Sequence, residues 1–167
     1  MNRPNFLRTL AVIAAVFTGV GILLNIVVVL NPHIAAILMG YGSIKELMDT
    51  ELSAGTKQLL LAQAAVPAAF LVLCGVGCFS DKISRSKSLL MLILTVLCFI
   101  LVTAAAAFLY TAAIRSAVSE GMETVQLLSS ITTIRNFLAY LYTFAFVTLM
   151  CANSVELYIA KSEADGK

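Results

Sequence analysis

Residues 126–160 read QLLSSITTIRNFLAYLYTFAFVTLMCANSVELYIA. At 1.5 Å per residue this stretch outruns the roughly 20 residues that cross a bilayer, so it predicts one continuous helix that tilts or protrudes. Its polar side chains are ordered: Ser129, Thr132, Thr133, Asn136, Tyr140, Thr143, Cys151 and Ser154 fall on one helical face. That face is expected to point into a bundle or towards a partner. Arg135 and Glu156 project elsewhere, near the two ends of the span, where long side chains reach the headgroups as anchors.

Three further apolar runs precede it, at about 7–30, 58–79 and 88–113. Asn31-Pro32 ends the first, because proline lacks the N–H that continues a helical ladder. Arg3 and Arg8 give the first run the basic start of a signal peptide, but its length and the absence of a small-x-small cleavage site favour an uncleaved span. Pro67 lies inside the second run and predicts a kink there. The fold class expected is therefore all-α: a polytopic membrane protein with four transmembrane helices in an antiparallel bundle, residues 1–167 making a single domain.

The composition agrees. The chain is 60% hydrophobic and 12% charged, with mean hydropathy +0.98, whereas soluble domains are about one quarter charged. A net charge of +2 without a basic run excludes a nucleic-acid-binding domain, and the apolar content excludes a disordered tail. Lys and Arg divide seven to four across the layout. Arg3, Arg8, Lys82, Arg85, Lys87, Lys161 and Lys167 lie on one side, and Lys45, Lys57, Arg115 and Arg135 on the other. The tight SDKISRSKS connection at 80–88 marks the cytoplasmic side, so both termini are expected in the cytoplasm, with the chain multi-pass in a plasma (inner) membrane.

In the first outer loop, Ser43-Ile-Lys-Glu46 is a capping box that opens a short amphipathic helix. Ile44, Leu47, Met48 and Leu52 form its apolar face and Gly55 stops it. An interfacial helix is the plain reading and a ligand-binding lid the sharper one. Asn31-Pro32 also suits the start of a second short helix over Pro32 to Met39. The pattern E-x-M-[DE]-T occurs at Glu46 and again at Glu120, an offset that superposes the first hairpin on the second; a duplication is thus one hypothesis for the layout.

Polar side chains inside spans are the default functional candidates. Asn25, Gln63, Thr103 and Asn136 are expected at similar depth in the outer half, as a shared binding cluster or as simple interhelical hydrogen bonds. Cys74 and Cys78 are one turn apart, yet the chain has one histidine, His33, on the opposite side, so no metal or haem ligand set is complete and no cofactor is expected. All four cysteines fall within spans and read as small packing residues. Ala11, Ala15 and Gly19 in the first span and Ala65 and Ala69 in the second offer close helix approach.

With few ionisable groups expected in the membrane and minimal soluble segments, the sequence favours a non-enzymatic accessory or structural subunit of a larger membrane complex. Its expected partners are the lipid bilayer and other membrane subunits or a second copy of itself. The alternative expectation is a small oligomeric transporter or channel that uses the outer polar cluster.

Overall fold

The computed structural model describes residues 4–31, 61, 64–80, 82–119 and 124–165, and among them the chain is all-helical. The helices are α1 (Asn5–Leu30), α2 (Ala65–Phe79), α3 (Arg85–Ser119) and α4 (Thr124–Asp165). Three contain segments long and apolar enough to cross a membrane: Asn5–Val27, Arg85–Ala105 and Asn136–Ala164. The fourth, α2, is apolar but only 15 residues long.

α1 stops where the sequence requires. Asn31 turns extended (φ −152°, ψ 93°) and its N–H donates to the Val27 carbonyl at 2.7 Å, while Pro32 behind it disfavours a helical residue before it. α4 is continuous for 42 residues, about 63 Å at 1.5 Å each, as its uninterrupted pattern implied. α2 covers the later part of the second expected span. It is described from Ala65, with Ala68 N–H donating to the Ala64 carbonyl at 3.0 Å, which places Pro67 in its first turn, while residues 58–60 and 62–63 of the expected span lie outside the described residues. An N–H there has no intrahelical acceptor in any case, and proline costs little. The expected Ser43–Gly55 helix, the Pro32–Met39 segment, Gln63 and the repeated motif at 46–50 and 120–123 lie outside the described residues.

Each helix packs chiefly on two neighbours, in the ring α1–α4, α4–α3, α3–α2 and α2–α1. The core between them joins Ala11 and Ala14 of α1, Phe70 and Cys74 of α2, Val102 of α3, and Leu138, Tyr142, Ala145, Phe146 and Leu149 of α4. Phe146 stands at its centre, with its ring centroid 3.9 Å from Phe70 and 5.3 Å from Phe99. The outside is apolar as well. Val16, Leu23, Val72, Leu90 and Ile100 are among many large hydrophobics left exposed.

On α1, Ala11 of the small-residue series lies in the core and Ala15 packs against it, while the glycine in close contact is two residues beyond the end of the series. A Cβ built at Gly19 or Gly75 meets nothing within 4 Å. At Gly21 it falls 2.6 Å from Cε1 and 2.9 Å from Cζ of Tyr142, so this glycine is what lets α1 lie against the ring. Threonine hydroxyls within the helices are satisfied locally. Thr18, Thr95, Thr103 and Thr111 each donate to the carbonyl four residues back, at 2.7–2.9 Å, which removes most of the cost of a hydroxyl in an apolar segment.

Candidate functional site

The polar groups that the fold buries together lie at the α2–α3 end. α2 finishes at Phe79, and Ser80 at its C-cap is extended (φ −76°, ψ 121°). Five residues later α3 begins, and its first turn is fastened by Ser88, whose N–H and hydroxyl both donate to the Ser84 carbonyl, at 2.9 and 3.0 Å. That turn brings Lys87 back over the end of α2, where Nζ donates to Ser80 Oγ. About two turns further up α3, the buried Thr95 donates to the Met91 carbonyl at 2.7 Å and accepts from Asn153 Nδ2 of α4 at 3.2 Å.

Asn153 and Glu156, three residues apart, share the side of α4 that also buries Leu149, Ala152 and Ala160. They are only 1% and 4% exposed. With Val76, Gly77 and Ser80 of α2 and Lys87 and Met91 of α3 they line a cavity of about 10 Å³, room for about one water molecule. Gly77, on the buried side of α2, presents only backbone to this space. The site thus holds a carboxylate, an ammonium, an amide and two hydroxyls within an otherwise apolar fold. Sites of this kind are expensive to bury and mark function or specificity.

Glu156 therefore corrects the sequence expectation of an anchor reaching for the headgroups. Its position near the helix end suggested snorkelling. The register of α4 instead turns it inward, and the signal was present: Glu156 is seven residues beyond Leu149 and four beyond Ala152, on the core face.

The candidates in the expected outer cluster are placed differently from one another. Asn25 is buried at 1% exposure on the inward face of α1, in line with Ala11, Ala14, Thr18 and Gly21. Thr103 is exposed on α3, with its hydroxyl donated to the Phe99 carbonyl at 2.9 Å. Asn136 is exposed on α4. Gln63 is outside the described residues.

The polar stripe of α4 faces away from the other helices. Tyr140 is 76% exposed, and Thr143, Cys151 and Ser154 are exposed with it; the side chains of Ser129, Thr132 and Thr133 lie outside the described set. At about 100° per residue the buried positions Leu138, Tyr142, Ala145, Leu149, Ala152 and Glu156 centre on the opposite side of the helix. Of the two directions open to the stripe, inward or towards a partner, the inward one is taken by this other face.

Among the described residues no group of three or more His, Cys, Asp or Glu is placed to hold a metal ion. Cys74 is buried, Cys78 and Cys98 are half-buried and Cys151 is exposed, and none of the four forms a disulfide. No protein-family model matches the chain, and neither curated proteins nor solved structures provide a match.

Proposed function

We infer that the protein is a small non-enzymatic membrane subunit. Its four helices cross the bilayer as one antiparallel bundle with both termini in the cytoplasm, and the outward face of α4 docks against another integral membrane subunit. The observation that carries this reading is the exposure of Thr143, Cys151 and Ser154 on one face of a helix whose opposite face is the core. Tyr140 and Tyr158, 76% and 74% exposed, stand on the same face. Eighteen residues separate them, about 27 Å along the axis, close to the roughly 30 Å of hydrocarbon whose boundaries tyrosines favour. The three small polar side chains then fall between the tyrosines, at membrane depth. Small and hydroxylated residues at that depth suit helix–helix contact, where they allow close approach and hydrogen bonds across the interface.

The transporter or channel alternative draws less support, because Thr103 and Asn136 are exposed and the Thr103 hydroxyl donates to its own helix.

Cys151 supplies a native probe. Cross-linking from this thiol in intact membranes is expected to give an adduct with a second polypeptide. Ser154→Phe, which adds bulk one turn along the stripe, should abolish the adduct. Val16→Phe, on the exposed face of α1, should leave it intact. Uncross-linked chain in every sample, or equal loss in both variants, overturns the reading.

A further inference from the structure

The turn between α2 and α3 gathers cations at the edge of an apolar surface. Residues 80–88 carry Lys82, Arg85 and Lys87 against one acid, Asp81, which lies outside the described residues. The turn is held in shape by its own side chains. Ser80 Oγ donates to the Lys82 carbonyl at 3.4 Å and accepts from Lys87 Nζ, while the Ser84 carbonyl receives both the N–H and the hydroxyl of Ser88. Lys87 is thereby engaged at the cavity, and Lys82 and Arg85 stay exposed on backbone that is already ordered. Such a platform binds without first paying to order itself. Large apolar side chains adjoin the two cations. Phe79, the last residue of α2, is 87% exposed, and Val72 and Val76 are exposed on the same side of that helix. On α3, Leu89, Ile93 and Val96 are exposed on the side that starts at Arg85, itself the first residue of a stretch long and apolar enough to cross a membrane. Among the described side chains exposed at this end, Lys82, Arg85 and Lys161 face one acid, Glu163.

We propose that Lys82 and Arg85 form a seat for the phosphate of one anionic phospholipid, whose acyl chains lie along the exposed sides of α2 and α3. Exposed cations at the head of exposed apolar helix sides match an amphiphile with a negative head, and Arg and Lys both suit phosphate oxygens. An acidic protein segment would answer the charges but not Phe79. A zwitterionic lipid carries the same phosphate, but its ammonium is repelled by the same cations, so the seat discriminates by net headgroup charge. The proposal rests on the helices crossing a bilayer and is independent of what covers α4.

Purified full chain in mild detergent, offered equal amounts of phosphatidylglycerol and phosphatidylcholine with identical acyl chains, is read by native mass spectrometry of the retained lipid. The parent is expected to retain phosphatidylglycerol over phosphatidylcholine by at least about tenfold, since each cation near a membrane surface is worth about fivefold in attraction to anionic lipid. In Lys82→Ala/Arg85→Ala the ratio should fall to within about threefold of even. Both side chains are exposed, so the melting temperature should hold. Arg115→Ala, which removes an exposed cation towards the far end of α3, should keep the parent ratio, and so should Ser154→Phe on the α4 docking face. An even ratio in the parent would overturn the seat, as would a preference that survives the double variant or falls equally in Arg115→Ala. So would displacement of the retained lipid by glycerol phosphate at matched ionic strength, which supplies the head without the chains.

Discussion

Phe146→Ala is expected to be the most damaging single truncation in the fold. Its ring is fully buried and touches Phe70 of α2 and Phe99 of α3, so it joins three helices through one side chain. Phenylalanine-to-alanine changes in cores cost about 3–5 kcal/mol, part transfer and part cavity. Lipid tails are as apolar as the core, so the transfer part shrinks in a membrane, while the cavity and the lost dispersion contacts remain. An effect near the lower end, about 3 kcal/mol, is therefore expected in denaturant titration of the protein in mild detergent. Phe144→Ala, at a ring half exposed on the same helix, should cost clearly less. Equal losses at the two positions would place the core elsewhere on α4.

The second large effect is expected at Gly21. An added methyl group would sit 2.6 Å from Tyr142 Cε1. The ring is 4% exposed and therefore boxed in by its neighbours. Overpacking of this kind costs about 1–3 kcal/mol, against a helix-propensity gain of at most about 1 kcal/mol. Gly21→Ala should thus destabilise by about 1–2 kcal/mol. Gly19→Ala, two residues away, meets nothing and should be neutral or stabilising. Tyr142→Phe separates packing from polarity, because its buried hydroxyl has no hydrogen-bond partner among the described residues. Removing that group should leave stability unchanged or raise it. Matching melting temperatures for the two glycine variants would contradict the α1–α4 contact described.

These two sites show what was readable from the sequence and what was not. Helix existence followed from hydropathy and length, and Asn31-Pro32 closed α1 because proline acts locally. The faces of α4 were also legible, since residues on one side of a helix are fixed by a 100° step. Which face turns inward was not, because in hydrocarbon the usual rule that apolar residues go inside loses its force. The stripe from Tyr140 to Ser154 was recognised as one surface, and only the packing of Leu138, Ala145 and Leu149 shows that it is the outer one.

The polar site escaped for a related reason. Lys87 reads as a loop cation and Glu156 as an end anchor when each is considered on its own helix. They line one cavity only once α2, α3 and α4 are packed together, a meeting of residues distant in sequence. Close approach was likewise sought at Ala11, Ala15 and Gly19, where the spacing is regular. Ala11 does lie in the core with Ala15 packed against it, but Gly19 meets nothing, and the contact at Gly21 depends on a tyrosine ring on α4 that no local pattern on α1 reveals.

The claim on which the functional account rests is that the outward face of α4 is covered by another membrane subunit. Native mass spectrometry of the protein released from its own membrane in mild detergent tests it directly. The account predicts a stable species heavier than the 17.8 kDa chain, reduced to the bare chain by Ser154→Phe. A lone 17.8 kDa species under conditions that keep the helices folded would contradict it.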